Sequence, residues 1–419
     1  MSRMIRLLLT GAAAALFGAL LAACGGTTAP PAAPAAEEVA PAAQEAAPAP
    51  AADITPTKQA AMETYADIAF ASYEDSYLTA LALQEAINTF VENPSAETHQ
   101  AAKEAWLAAQ EPYGQTEVYR FYGGPIDDDD GPEGLLNAWP LDEAYVDYVE
   151  GDPDTGIINN PAEYPEITTD LLIELNQAGS EENVSTGYHA IEFLLWGQDF
   201  SDSANGSRPY TDYIAGAAGT AANPERRAAY LVAVTDLLVQ HLTAMKDAWD
   251  PAGANNYRAE FLALDPDAAI QKMLTGMGVL SKSELAGERM FTAYDNQDQE
   301  DEHSCFSDNT HRDIVTNAQG IRNVYLGTYT RIDGSTVEGT GLQAVVDAVD
   351  PALNADVLTL SDTAQEQINN IYVPFDQAIV LPDERENVLN AVFTLQDQGD
   401  AFAQVASALG FSINTALPE

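Results

Sequence analysis

A single period constrains this chain more than any other feature. From Lys58 to Phe90, in "KQAAMETYADIAFASYEDSYLTALALQEAINTF", apolar residues recur at intervals of three and four for many turns. That spacing lines one face of an α-helix, whereas a half-buried strand would alternate. The same period returns in "ETHQAAKEAWLAAQEPYGQTEVYRF", in "ERRAAYLVAVTDLLVQHLTAMKDAW", in "DAAIQKMLTGMGVL" and in "ERENVLNAVFTLQDQGDAFAQVASALG". In the second of these four, Tyr230, Val234, Leu237, Leu238, Met245 and Trp249 fall on one apolar face. Asn93-Pro94, Asn223-Pro224 and Asp265-Pro266 read as helix starts, a cap followed by proline at the first helical position. Strand-like alternation is rare, and "NVYLGTYTRI" is its best candidate. The expected class is all-α, two helical-bundle domains with long polar insertions. The boundary belongs in "DPAGANN", so residues 55–252 and 253–419 form one bundle each. The insertions are Tyr122–Gly134 with its sequel through "NNPAEYPE", and Ala293–His311. Structureless stretches of that length in a helical domain are either functional or disordered.

The N-terminus sets the compartment. "MSRMIRLLLTGAAAALFGALLAACGG" opens with Arg3 and Arg6, continues into a short apolar stretch and ends in small residues, the order of a secretory signal. "LAAC" resembles the bacterial lipobox, which implies cleavage after residue 23 and acylation of Cys24. Residues 24–54, rich in Ala and Pro, cannot bury a core and read as a tether from a lipid anchor. The expectation is a bacterial cell-envelope protein, membrane-anchored and facing the periplasm or the surface. An acylated Cys24 leaves Cys305 without a disulfide partner, so stability must come from packing. The balance of 17 basic against 65 acidic residues, a net charge of −48, argues against nucleic acid as a partner. Cations are the natural counterparts of such a surface, although a solvated acidic coat accounts for it equally well.

Within "TGYHAIEFLLWGQD", His189 and Glu192 stand three residues apart, so one helix face carries an imidazole and a carboxylate able to reach one cation. Glu-x-x-His does this in reverse order in ferritin-like bundles. The competing reading is a His–Glu hydrogen bond that orients two helices. Gly187 leaves room for another backbone or a ligand, and Ser185 or Thr186 can cap the helix. No HExxH occurs, so the usual zinc-peptidase helix is missing. GxSxG, P-loop, GxGxxG and CxxCH are absent too.

"GYHAIEFLLWG" matches the GxHxxE signature of the imelysin family, and "EDEHSCFSDNTHRDI" is similar to the iron-regulated protein A branch of it. "AWLAAQEPYGQTEVYRFYGGPID" resembles the first-domain block of that branch. The resemblance spans Thr57 to the C-terminus. It implies two helical bundles and an exported protein or lipoprotein tied to iron acquisition. It points to Gly187, His189 and Glu192 as site residues. Glu117 is the next ligand candidate, as the carboxylate of the preceding block. Arg120 would orient that carboxylate or bind an anionic part of a ligand, unless it is a surface charge. Tyr119 and Tyr122 read as packing.

A second polar cluster holds Glu302, His303, Cys305, Asp308 and His311. Carboxylate and imidazole suit a transition metal, and His303 and His311 are candidate ligands; Cys305 suits an iron site less well. Asp308 or Asn309 can instead cap the helix that follows. The acidic run Asp127–Asp130 lacks EF-hand spacing. His99 reads as a residue of an exposed helix face, and His241 as a packed or surface residue of its amphipathic helix, both outside any site. The expected function is an envelope lipoprotein binding a metal ion, iron rather than zinc, or a metal chelate, as part of iron uptake. The alternative is a zinc peptidase, which needs a third ligand, an open water position and a general base that no spacing identifies.

Overall fold

The computed structural model describes residues 53–418. The expected signal, Cys24 and all but the end of the expected tether lie outside the described residues. Eight helices carry the architecture: α1 (Thr55–Glu92), α2 (Ala96–Tyr113), α3 (Gly187–Trp196), α4 (Pro224–Trp249), α5 (Pro266–Val279), α6 (Thr310–Leu326), α7 (Pro351–Asn369) and α8 (Arg385–Ala408). Among the described residues the chain is all-α apart from one small hairpin, β1 (Thr328–Thr330) against β2 (Thr336–Glu338), antiparallel with Tyr329 opposite Val337. The "NVYLGTYTRI" segment thus divides: helix runs to Leu326, Gly327 ends it with φ +75, and only then does a strand begin.

The helix starts show which signals matter. Asp265 caps α5 through its side chain, and Pro266 occupies the first position as expected. Asn223-Pro224 likewise opens α4, with Asn223 in the left-handed region. Asn93, however, closes α1, and Ser95 starts α2. The Ser95 hydroxyl accepts from the Thr98 amide while Thr98 reaches back to the Ser95 amide, a reciprocal cap that Asn93 cannot supply.

α1 packs along α2 and α4, and α3 fits between α2 and α4. α4 is long and apolar enough to cross a membrane, but its apolar face, Tyr230 through Trp249, is buried in this packing. Beyond residue 253, α8 packs against α5 and α7, and α6 lies on α7. Contacts also join the two groups, through α1 on α5 and through α6 on the 3-10 turn Gly114–Tyr119 that ends α2. Both share one hydrophobic core. His99 is buried on α2: its ring stacks on Phe90 with centroids 4.7 Å apart, and its Nε2 lies 2.8 Å from the Leu195 carbonyl, tying α2 to the end of α3.

α5 does not stop at Val279. It continues as a π-helix over Leu280–Phe291, its amides bonding five residues back instead of four. Arg289 is carried on this widened stretch.

Candidate functional site

α3 is buried over its whole length, which its composition explains: eight of the ten residues "GYHAIEFLLW" are neither charged nor imidazole. Gly187 starts it with φ +82, and a β-carbon there would lie 2.5 Å from the Leu136 carbonyl oxygen. Only glycine combines that φ with so close a backbone. The contact seats residues 135–136 on the helix start; Asn137 and Trp139, just after them, lie against His303.

His189 and Glu192 meet as the i, i+3 spacing predicts, Nδ1 to Oε2 at 3.0 Å. The other carboxylate oxygen, Oε1, accepts from the Ser307 amide at 2.9 Å and its hydroxyl at 2.7 Å. Burial pushes the Glu192 carboxyl up, and the His189 hydrogen bond opposes that. With Glu192 as acceptor, Nδ1 of His189 carries the hydrogen. Nε2 then presents a lone pair, and it is buried without a hydrogen-bond partner.

His303 repeats the arrangement from the opposite wall. Its Nδ1 lies 2.9 Å from Asp313 Oδ2, which also accepts from the Ser304 hydroxyl, while Asp313 Oδ1 accepts from Asn309 Nδ2 at 3.0 Å. Nε2 of His303 faces only a long 3.5 Å contact with Asn137 Nδ2. The two imidazoles stand edge to face with centroids 4.6 Å apart. Burial foremost, then the Arg289 guanidinium and His189, keep the His303 ring's proton affinity well below the usual histidine range. His303 is therefore a neutral nitrogen donor at neutral pH.

Beneath the pair lies an ion network. Glu117, on the turn after α2, receives Arg120 and Arg289, each at 2.6 Å. Burial opposes its ionisation, but the two guanidiniums outweigh burial and hold the carboxyl at about 2. Arg120 also pairs with Glu133 at 2.9 Å, and Arg289 with Glu284 at 2.8 Å and Asn317 at 2.8 Å. A cavity of about 340 Å³ opens here, walled by Arg120, Asn137, Trp139, Glu284, Arg289 and His303.

The structure thus brings Gly187, His189, Glu192, Glu117, Arg120 and His303 to one place. His311 stands apart on the first turn of α6, its Nδ1 3.1 Å from the Asp308 carbonyl. Tyr119 and Tyr122 bond Ser72 and Tyr65, as packing residues do. Asp127 folds its own loop by accepting the Gly124 amide at 2.9 Å and the Phe121 amide. Reading the sequence missed Asp313, Arg289 and Asn137. Asp313 alone left a signal, four residues after Asn309 on the same helix.

A family model described as imelysin matches residues 69–402. Iron-regulated protein A of Synechococcus elongatus is 25% identical over 328 residues, covering 76% of this chain and 77% of that protein. Among solved structures, one described as an iron-regulated protein A precursor from Parabacteroides distasonis superposes with a TM-score of 0.67 at 19% identity, over 84% of this chain and 95% of that one. An imelysin-like protein from Psychrobacter arcticum gives 0.54 at 14% identity, over 86% and 96%. These two likenesses show the fold.

Proposed function

The chain belongs to the imelysin family, and on that premise we propose that it is an envelope lipoprotein binding a metal ion, iron foremost, or a metal-containing ligand, at the His189–His303 pair, as part of iron uptake. One observation carries this reading: two buried imidazoles stand side by side, each with Nδ1 held by a buried carboxylate, Nε2 of His189 without a partner and Nε2 of His303 with only the 3.5 Å contact to Asn137. A carboxylate behind each histidine is the arrangement that fixes tautomer and ring orientation in metal sites and raises ligand basicity. A purely structural histidine would have satisfied Nε2 as well.

Glu192 acts here as the group that orients His189, since both its oxygens are already engaged. Glu117 is likewise spent on Arg120 and Arg289. The remaining donors must come from Asn137, whose Oδ1 is buried and unpartnered, from solvent, or from a chelate occupying the cavity beside His303. That set suits capture better than hydrolysis. Glu117, Glu192, Asp313, Glu133 and Glu284, the carboxylates packed around the pair, are each tied to a neighbour, so none of these five is the free general base a zinc peptidase needs. The iron in the name of the cyanobacterial relative, the anchor expected at Cys24 and the low proton affinity of His303 all support uptake of a cation near neutral pH.

The test is elemental analysis of the full chain, purified without affinity metal and reconstituted with iron or zinc, beside His189→Ala and His303→Ala. Expected is a stoichiometric metal, lost in both variants while the helical circular dichroism is kept. Metal content unchanged in both variants would overturn the reading.

A further inference from the structure

The loop that carries His303 also carries Glu302 and Asp308, and their carboxylates meet two others from remote parts of the chain. Asp199 follows the end of α3, and Asp376 opens the short helix Phe375–Val380. One oxygen each from Asp199, Asp308 and Asp376 lie within 4.8 Å of one another. Glu302 stands against Asp376.

This cluster differs from a patch of surface acid. Asp199 is 4% exposed, Asp376 3% and Glu302 fully buried. Both carboxylate oxygens of Glu302, Oδ2 of Asp376 and Oδ1 of Asp308 are buried with no hydrogen-bond partner. Asp199 accepts one bond, from the Ser201 amide at 2.9 Å. Among the described residues none of the four forms an ion pair with Lys, Arg or His, although the histidine pair nearby is framed by guanidiniums. Buried carboxylates without donors must either keep their protons or meet a cation.

We propose that Asp199, Glu302, Asp308 and Asp376 form a binding site for a hard divalent cation, calcium foremost, separate from the histidine pair. The donors are all oxygen, which selects calcium, magnesium or manganese over zinc or copper. Ligand number selects among these: magnesium is usually held by one or two carboxylates and keeps its waters, whereas calcium takes six to eight oxygens and accepts several carboxylates, mono- or bidentate. The cation would join the turn after α3, the loop before α6 and the helix at Phe375–Val380. No nitrogen from His189 or His303 is needed, so the site stands or falls independently of the proposed function.

The experiment is calorimetric titration and thermal unfolding of the full chain with calcium chloride, at an ionic strength that suppresses non-specific uptake by the acidic surface. Magnesium chloride serves as comparator. Expected is one saturable calcium site, with a Tm raised by calcium and restored by chelator. Asp376→Asn and Asp308→Asn should each weaken calcium at least tenfold while raising the Tm in chelator, because they relieve repulsion. His189→Ala should leave calcium binding intact. A wild-type chain without a saturable site overturns the proposal, as does a site that Asp376→Asn leaves unchanged. If calcium has no effect on the Tm while Glu302→Gln lowers it, Glu302 and Asp376 share a proton instead, and the proposal also fails. Magnesium binding tighter than calcium would overturn the assignment to calcium.

Discussion

On the histidine side of the Glu302–Asn309 loop, every buried carboxylate has donors: Glu192 takes His189 and Ser307, Asp313 takes His303, Ser304 and Asn309, and Glu117 takes two arginines. A few residues away along the same loop, Glu302, Asp308 and Asp376 leave buried oxygens bare. The first region pairs its own charges around the two imidazoles; the second gathers charge and leaves it open. Two such environments cannot suit the same ligand. Nitrogen donors with oriented tautomers favour a transition metal, and bare carboxylates favour a hard cation.

If the histidine side is held by charge compensation, removing a guanidinium should cost most. Arg289→Met is expected to destabilise the chain by about 3–5 kcal/mol, the usual penalty for leaving a buried ion without its partner. Urea unfolding measures it, and a loss below roughly 1 kcal/mol would break the contrast. Next comes Gly187→Ala. The left-handed φ alone costs roughly 1–3 kcal/mol, and the clash with the Leu136 carbonyl adds to it. The same assay reads the change, and a neutral result would mean that residues 135–139 are not set by this contact.

A smaller effect sharpens the difference in chemistry. Asp313→Asn should lower metal affinity at the histidine pair about 10–100-fold, read by competition with a chromogenic chelator, and leave calcium untouched. Equal losses at both sites would merge the two regions into one. The smallest effect is in pH. Burial first, then neighbouring acids, raises Asp199 to about 6 and Asp308 to about 7. Glu192, Glu300, Glu302, Asp202 and Asp376 surround them, all of one sign. The folded chain therefore holds these protons more tightly than the unfolded one, so stability falls as pH rises from about 4 to about 7. In chelator the Tm should drift down across that window, and calcium should flatten the drift. Glu117, held at about 2, works in the opposite sense: its contribution is present above its ordinary value of 4.5 and is lost as pH falls toward 2.

The helices were legible because α1, α4 and α8 each repeat a local rule for many turns, and Asp265-Pro266 states its boundary outright. Asn93-Pro94 misleads because proline is compatible with a loop as well as a helix start, and the Ser95–Thr98 cap one step later is stronger. The HxxE pair was legible for the same reason as the helices: three residues of separation carry their own geometry. What holds each ring was not. Asp313 and Arg289 reach the site from α6 and the π-helix, and nothing in their spacing to His189 encodes that. The acidic quartet is less legible still, since residues 199, 302, 308 and 376 meet only after both groups of helices have packed. His99 shows the converse: a polar residue on an apparently solvated face is buried because α3 lies across it.

The π-helix at Leu280–Phe291 has a genetic consequence. A helix wound five residues to the bond behaves as an α-helix with a residue too many. Each residue of an ordinary α-helix advances the azimuth by about 100°. Winding the same residues at the tighter pitch, with none removed, would turn everything after them by about that angle, and Arg289 would swing from Glu117 while the helix upstream kept its seat on α8. Deleting one position between Leu280 and Glu288 would instead take out the surplus and leave the phase beyond it in place. The aim of that guanidinium is thus stored in the wider pitch, which a three-nucleotide deletion can remove without re-aiming it.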